Sequence, residues 1–372
     1  MRDVNNIFYN SIENIANKIF EKTTFGSLEV VFPSGKFLRY NGLYQGVDAK
    51  IKLNNYAMII KLLRKGPLGF AESYIDGDFY TKNLTNLLIF AKNNESSFID
   101  SIRGKLIYKF MDKIYHYFNN NTKYKSKKNI SYHYDLGNDF YKLWLDESMT
   151  YSSGIFEMPD DDLPKAQLNK YKKIIEPMQL NENSSLLEIG CGWGSFSTYV
   201  AKNFKAKINA ITNSKKHFEY TSKKIMNEGL NETVKVQFRD YRDINERYDN
   251  IASIEMFEAV GMKYWPVFFN KIKNSLNYNG TATLQIITIN EERAKFYQRN
   301  PDFIQRYIFP GGVLPSKNQL YKLTMTLGLK FNELNSFGKS YANTLNLWNK
   351  QFQKTWNQIS QQGFTSKFKR MW

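Results

Sequence analysis

Short strand-like stretches alternate with helical ones in the N-terminal part of the chain. Residues 28–32, 37–40 and 50–53 combine β-branched, aromatic and alternating polar positions, which is typical of strands. Residues 56–63 repeat apolar side chains at helical spacing. The pattern predicts a small α+β domain, which we place at residues 1–118.

A polar segment separates this domain from the rest. Residues 119–130 contain three consecutive asparagines and four lysines, with few apolar side chains to bury. Such a composition favours a linker. We therefore predict a basic linker at 119–130 and a second domain at 131–372.

Beyond residue 180, short apolar runs alternate with charged helical stretches. The predicted strands are 186–189, 207–211, 234–238, 250–254 and 281–289. Strands that alternate with helices imply right-handed crossovers and a mainly parallel, doubly wound α/β sheet. A sheet of this class binds its ligand beyond the carboxyl ends of its strands.

Net charge, cysteine content and the length of the apolar runs limit which partners and which cellular compartment we expect. The 372 residues carry a formal net charge of +17, which favours nucleic acid or anionic lipid as a partner, although a bias toward lysine, asparagine and isoleucine accounts for part of it. The single cysteine, Cys191, excludes an internal disulfide and a multi-cysteine zinc site, and we predict no metal site. No apolar run is long enough to span a bilayer, and residues 1–6 lack a signal-peptide core, so we expect a cytoplasmic protein.

A glycine-rich turn follows the first strand of the predicted sheet. Glu188 precedes Gly190, Gly192 and Gly194, and residues 196–202 can start a helix. Glycines let the backbone approach a ligand closely, and a helix N-terminus offers free N–H donors. The G-x-G-x-G spacing differs from that of dinucleotide binders and resembles the first motif of S-adenosylmethionine (SAM) methyltransferases, with a plain structural turn as the alternative.

Polar residues follow the next two predicted strands. Asp240 can accept a hydrogen bond from the adenine amino group and Tyr241 can cover the base; a solvated acid and a surface tyrosine are the plain alternatives. Thr212 and Asn213 offer a hydroxyl and an amide to a ribose, together with His217. We expect all five to bind the cofactor.

Several longer motifs carry a family resemblance. They are residues 66–74, 132–141, 149–154, 255–261, 307–316 and 337–341. In this order they resemble the cyclopropane-fatty-acyl-phospholipid synthase and mycolic acid cyclopropane synthase family of SAM-dependent methyltransferases, over about residues 65–372. The resemblance implies a Rossmann-like class I methyltransferase sheet, a lipid-covering insertion at about 290–320, and Tyr134, Tyr151 and Ser152 over the SAM.

The resemblance also implies the reaction, which is methyl transfer from SAM to a cis double bond of a phospholipid acyl chain. Attack by an alkene leaves a carbocation, which aromatic π faces stabilise in a dry pocket. The candidate aromatic residues are Tyr264, Trp265, Phe268, Phe269, Tyr307 and Phe309. Ring closure gives a cyclopropane; methyl-branched, methylene and methylated-diene products remain alternatives.

A bound bicarbonate removes the proton in this family. The resemblance assigns its glutamate to Glu258, its tyrosine to Tyr341 and its backbone group to Ile287. Ser153 stands where a cysteine is expected and Gln285 where a histidine is expected. Both can hydrogen-bond an anion, but Gln285 cannot titrate, so bicarbonate binding stays open.

The resemblance finally implies partners. They are an unsaturated phospholipid and, through a small lipid-associating N-terminal domain, the anionic inner surface of a membrane, with nucleic acid not expected and a homodimer left open. Basic clusters at 123–128, 170–173, 215–216 and 223–224 could dock on headgroups. A SAM methyltransferase for a soluble amine or phenol, and a non-catalytic lipid- or nucleic-acid-binding protein, are the rival interpretations.

Overall fold

A computed structural model describes residues 2–102, 136–332 and 335–372 of the chain. Two compact units make up the chain: Met1–Tyr115 with Phe364–Trp372, and His116–Gly363. The predicted linker at 119–130 and the candidate Tyr134 lie outside the described residues.

A small mixed sheet and its flanking helices build the described part of the first unit. The elements are α1 (Arg2–Phe20), β1 (Phe25–Val31), β2 (Phe37–Asn41), β3 (Tyr44–Leu53), α2 (Ala57–Asp76), β4 (Phe79–Tyr80), α3 (Leu84–Asn93) and α4 (Glu95–Ile102). The strand order is β2-β1-β3-β4, with β1 and β3 parallel and the other two pairs antiparallel. Alternate residues of β1 and β3, among them Leu28, Val30 and Ile51, point into one apolar core.

A five-stranded parallel sheet forms the centre of the second unit. Its strands are β5 (Ser185–Ile189), β6 (Lys207–Thr212), β7 (Val234–Phe238), β8 (Tyr248–Ile254) and β9 (Leu276–Gln285). Their order is β7-β6-β5-β8-β9. The predicted doubly wound α/β fold is confirmed.

Helices connect and flank these strands. They are α5 (Asn138–Lys142), α6 (Leu163–Ile175), α7 (Ser195–Phe204), α8 (Lys215–Asn227), α9 (Trp265–Ser275), α10 (Glu291–Arg299), α11 (Lys317–Thr326), α12 (Gly338–Lys354) and α13 (Trp356–Gln361). Leu186 and Leu187 of β5 are fully buried and belong to two different apolar clusters. Both faces of this central strand are therefore covered, which is the burial expected of a strand whose sequence is a near-continuous apolar run.

The order of the strands reverses between β5 and β8. The chain builds outward from β5 through β6 to β7, and then returns to add β8 and β9 on the other side. The loops that leave β5 and β8 therefore diverge and open a crevice at the carboxyl ends of these two strands. This crevice is where the glycine turn and the segment after β8 meet.

The predicted insertion at about 290–320 packs onto the segment after β8. It contains α10 and a one-turn π-helix at Ile304–Ile308. Val313 N donates to the backbone oxygen of Glu258 (2.9 Å), and Ile289 N donates to that of Pro315 (3.0 Å). The first bond ties the insertion to Glu258, and the second joins the two ends of the insertion to each other.

Residues Phe364–Trp372 belong to the first unit. Their position in the sequence instead predicted the second domain, at 131–372. A last helix, α14 (Ser366–Met371), packs on α2. Arg370 Nε donates to the backbone oxygen of Ile75 (2.9 Å), and Lys367 pairs with Asp76 (2.7 Å). These polar contacts form only on folding, so local sequence periodicity does not reveal them. In the described part of the chain, no helix combines the length and apolar character of a membrane span.

Candidate active site

The glycine turn after β5 leaves open space beside its backbone. Gly190 N and Cys191 N both donate to the backbone oxygen of Ile211, at 3.0 and 3.1 Å, which ties the turn to β6. Gly192 has a φ of +51°, and a Cβ placed there would meet no protein atom within 4 Å. The turn is therefore held firmly while its Gly192 face stays free for a ligand.

Glu188 joins the strand to the helix that follows the turn. The side chain is buried in β5, and its carboxylate accepts a hydrogen bond from the Ser197 hydroxyl in the first turn of α7. Burial raises the pKa of Glu188 to about 7, against the lowering effect of the Ser197 hydrogen bonds. A buried acid here suits a positively charged ligand.

One cleft collects most of the residues predicted to bind SAM. They are Tyr151, Ser152, Glu188, Gly190, Gly192, Thr212, Asn213 and His217. The cleft joins a hydroxyl, an amide, a buried acid and an open glycine backbone, which fits the ribose, sulfonium and amino-acid parts of SAM. Gly194 lies outside this lining, at the start of α7, where a Cβ would meet Thr221 at 2.4 Å.

Asp240 and Tyr241 also lie outside the lining of the cleft. Asp240 Oδ1 accepts from Arg242 Nε (2.7 Å) and Oδ2 accepts from Arg242 Nη2 (2.7 Å). The Tyr241 ring is buried against Phe268, with the ring centroids 5.3 Å apart. The structure thus gives both residues protein partners, and their adenine contacts stay predictions.

Aromatic side chains wall the cleft at its Tyr151 end. The Tyr151 ring lies 5.2 Å from Trp348, and Trp193 lies 5.0 Å from Tyr141 and 4.4 Å from His217, all between ring centroids. Of the aromatics proposed from the sequence, Trp265, Phe268 and Phe269 instead pack in the apolar cluster beside the sheet. Trp193 lines the cleft but was not predicted from the sequence, because periodicity does not show which side of a turn faces a cleft. Trp348 contacts the cleft lining through Tyr151.

Glu255 is the centre of a second polar cluster, directly after β8. Its Oε1 accepts from Ser153 N (2.9 Å) and from Gln285 Nε2 (2.7 Å). Its Oε2 accepts from the Tyr341 hydroxyl (3.2 Å). Burial raises the pKa of Glu255, an effect that the Ser153 N–H and the nearby Lys170 oppose. The structure thus brings together three residues predicted for bicarbonate, around a carboxylate that the sequence motifs did not assign.

Glu258 lies beside this cluster. Its Oε1 accepts from Ile287 N, and its Oε2 is buried without a hydrogen-bond partner among the described residues. Burial, followed by repulsion from Glu255, raises the pKa of Glu258 to about 8. The Ser153 hydroxyl donates to the backbone oxygen of Gly154 (2.9 Å) and so contributes no bond to either acid.

Lys170 is a buried lysine that interacts electrostatically with Glu255 and Glu188, and it is not part of a surface basic cluster as its neighbours in sequence suggested. It is fully buried on α6, and its Nζ donates to Ser152 Oγ (2.7 Å). Burial lowers the pKa of Lys170 to about 7, although Glu255 and Glu188 raise it. Its burial depends on tertiary packing, which the lysine-rich sequence around it conceals.

We expect Gly192→Val to weaken SAM binding roughly a hundredfold, or about 2.7 kcal/mol, because its branched side chain enters the open face of the turn. Isothermal titration calorimetry measures this. Gly229→Val is the matched control, since Gly229 also has a positive φ (+66°) and a Cβ added there would meet no atom within 4 Å, but it lies outside the cleft lining. Equal affinities for SAM in the two variants would contradict the assignment of the turn.

We expect Glu258→Gln to flatten the pH dependence of stability. The folded-state pKa of about 8 exceeds the ordinary 4.5, so the stabilising contribution of Glu258 is complete below pH 4.5 and is lost as the pH rises through 8. Between pH 5 and pH 9 the free energy of unfolding of the wild type should fall by a few kcal/mol more than that of the variant. Urea unfolding at several pH values measures this, with the exposed Glu232→Gln as control; parallel curves for wild type and Glu258→Gln would refute the expectation.

Comparisons with known proteins agree with this geometry. Residues 121–372 match the family described as mycolic acid cyclopropane synthetase. The chain is 31% identical over 328 residues to tuberculostearic acid methyltransferase UfaA1 of Mycobacterium tuberculosis, covering 85% of this chain and 75% of the relative. It is 32% identical over 328 residues to cyclopropane-fatty-acyl-phospholipid synthase of Escherichia coli K12, covering 87% and 81%.

Solved structures show the same likeness. The crystal structure of mycolic acid cyclopropane synthase CmaA1 complexed with SAH and CTAB has a TM-score of 0.62 and 28% identity, and covers 66% of this chain and 89% of that chain. The cyclopropane synthase MmaA2 from Mycobacterium tuberculosis has a TM-score of 0.61 and 26% identity, covering 66% and 89%. With its parallel sheet, its glycine turn and its buried acids, the chain belongs to the mycolic acid cyclopropane synthetase family and is a SAM-dependent methyltransferase.

Proposed function

We propose that the enzyme transfers the methyl group of SAM to a cis double bond of an unsaturated phospholipid acyl chain, with a cyclopropane as product. The observation that carries the proposal is the pair of partly buried acids, Glu255 and Glu258, whose pKa values are raised by desolvation, at the carboxyl end of β8 next to the cofactor cleft. The names of the relatives, a fatty-acyl-phospholipid synthase and a tuberculostearic acid methyltransferase, support the same class of substrate.

The reaction needs negative charge in a dry pocket. SAM supplies an electrophilic methyl group on a sulfonium, and an alkene that attacks it becomes positively charged. Fixed carboxylates such as Glu255 stabilise developing positive charge strongly where water is excluded. Glu188 and the open face of Gly192 can hold the cofactor so that its methyl group faces the acids.

The insertion beside the acids suits an acyl chain. Three of its large apolar side chains are exposed: Phe296 by 60%, Ile304 by 45% and Phe309 by 38%. The same segment is bonded to the backbone oxygen of Glu258 through Val313 N. Exposed apolar side chains that flank a buried acid fit a hydrocarbon substrate better than a soluble amine or phenol.

Lipid mass spectrometry tests the substrate. We expect a host that expresses the protein to gain one CH₂ unit in its unsaturated acyl chains, and gas chromatography of the released fatty acids to identify a cyclopropane. A methyl-branched, methylene or diene product would support the proposed lipid substrate but would contradict the cyclopropane as product. Unchanged lipids, together with methylation of a soluble amine, would refute the proposal.

We further propose that the enzyme works at the anionic inner surface of a membrane. Leu43 is 90% exposed and Tyr44 60% exposed, and Phe25 on the paired strand β1 packs its ring 5.2 Å from that of Tyr44. An exposed apolar patch of this kind can enter the headgroup region, and the net charge of +17 favours anionic lipid. The single cysteine fits a reducing compartment on the inner side.

We expect Leu43→Glu to reduce binding to phosphatidylglycerol vesicles about tenfold, because it removes apolar burial and adds a repelled charge. Vesicle sedimentation measures the binding. Met226→Glu is the matched control: Met226 is 65% exposed and lies in the second unit. Unchanged binding in Leu43→Glu, or an equal loss in the control, would contradict the patch as the docking site.

A further inference from the structure

Every group that could hold a bicarbonate is already engaged by the protein. Ser153 N, Gln285 Nε2 and the Tyr341 hydroxyl all donate to Glu255, at 2.9, 2.7 and 3.2 Å. Ile287 N donates to Glu258. A small anion in this place would have to displace a carboxylate that is itself a fixed part of the chain.

Electrostatics also oppose an added anion. A bicarbonate would place a negative charge next to the Glu255 carboxylate, and burial followed by repulsion from Glu255 already raises the pKa of the neighbouring Glu258 to about 8. The polar atom of Gln285 left without a partner among the described residues is its Oε1, an acceptor. This acceptor supplies no hydrogen bond to the carboxylate oxygens of the anion, and the donors that would have to do so are bound to Glu255 and Glu258, so the residues present do not fit bicarbonate.

We propose that Glu255 is the catalytic base, and that its carboxylate takes the role for which bicarbonate was expected. The assignment rests on the proposed function, because it concerns the proton that leaves the methylated acyl chain. It requires no added anion. It makes Ser153, Gln285 and Tyr341 positioning residues that hold the carboxylate.

The step balances with the groups present. The alkene carbon bonds to the methyl carbon as the carbon–sulfur bond breaks, and the neighbouring alkene carbon becomes cationic. A C–H bond of the transferred methyl group then breaks, and its electron pair closes the ring onto the cationic carbon. The proton goes to Oε2 of Glu255, which becomes a neutral carboxylic acid and later releases the proton to solvent.

The position of Glu255 suits this role. Its side chain lines the same cleft as Ser152 and Gly192. Its Oε1 accepts two hydrogen bonds, whereas Oε2 accepts one, from Tyr341, and keeps a lone pair for a proton. An oxygen on the cleft wall with spare accepting capacity is what proton removal requires.

The backbone at Glu255 is held in a conformation that favours glycine. Its φ is +47°, and Glu255 N donates to the backbone oxygen of Gln285 (2.9 Å), which fixes the residue to the end of β9. A positive φ is strained at a residue that is neither glycine nor asparagine, and such strain clusters at functional sites. The strain gives a useful variant: Glu255→Gly removes the carboxylate and relaxes the backbone.

The test uses the purified full-length enzyme, SAM and dioleoylphosphatidylglycerol vesicles, in buffer freed of carbon dioxide. We expect the wild-type rate to change less than about twofold when bicarbonate is added. Glu255→Gln should lose a hundredfold or more, the scale of general-base catalysis, with unchanged affinity for SAM in calorimetry. The exposed Glu232→Gln, the same chemical change outside the cleft, should keep the wild-type rate.

Chemical rescue separates a base from a structural support. Glu255→Gly frees the three donors, so formate or bicarbonate should restore its rate at least about tenfold. In Glu255→Gln, trapping of the cation by water should also yield acyl chains that gain a CH₂ unit plus one water. If Glu255 only held its neighbours in place, added anions would give no rescue and this hydrated product would be absent, which would overturn the assignment.

Two other results would overturn it. In the first, the rate of the wild-type enzyme falls tenfold or more when bicarbonate is removed. In the second, Glu255→Gln is as fast as the wild type. Both require an active wild-type enzyme, so they leave the proposed function standing. A wild type that methylates no lipid under any of these conditions would refute the proposed function, and the base assignment with it.

Discussion

A cluster of carboxyl groups withdrawn from water at the carboxyl ends of β5 and β8 is the constraint on which the rest of the site depends. Glu188, Glu255 and Glu258 are enclosed by protein, and the fully buried cation beside them is Lys170. Isolated buried charges cost several kcal/mol each unless they are paired and hydrogen-bonded. Burial raises the pKa values of the acids and lowers the pKa of Lys170, so each group favours its neutral form more than it would in water. A cation such as the sulfonium of SAM would favour the ionised form of these acids.

The parallel sheet makes this charge distribution tolerable. The acids lie where strand order reverses, so their loops diverge and leave room for a ligand between them. Below them, β5 is covered on both faces by apolar clusters from the flanking helices. Burial of that apolar surface stabilises the unit and offsets the electrostatic cost of the acids. The donors to Glu255 come from distant parts of the chain, at Ser153, Gln285 and Tyr341, so the carboxylate can be held only after the whole unit has folded.

Local patterns were sufficient for the fold and for the cofactor turn. The apolar run predicted at 234–238 is β7 with the same bounds, and the turn through Gly190 and Gly192 lies at the cleft as expected. Both depend on interactions within a few residues of the chain. Tyr241 shows the limit: a short 3-10 turn, Tyr241–Asp243, starts at this residue, and its ring packs in the core.

The two missed charged residues have different physical reasons. Lys170 lies in a lysine-rich helix whose sequence is typical of a solvated face, and only the packing of α6 buries it. Glu255 directly follows an apolar strand, and that position alone marks it as a candidate at a switch point. Its role, however, depends on a positive φ and on partners about 30 to 100 residues away, which periodicity does not encode.

The departures from the family pattern at Ser153 and Gln285 become intelligible together with Glu255. A histidine beside a buried carboxylate would be drawn into its charged form and would hold the acid as an ion pair, which lowers the basicity of the carboxylate. An amide cannot titrate, so Gln285 donates one neutral hydrogen bond at every pH and leaves Glu255 able to take a proton. Ser153 contributes its backbone N–H, while its hydroxyl is turned to Gly154. Under the proposal that Glu255 is the base, the serine and the glutamine that weaken a site for a free anion are compatible with a carboxylate supplied by the chain itself.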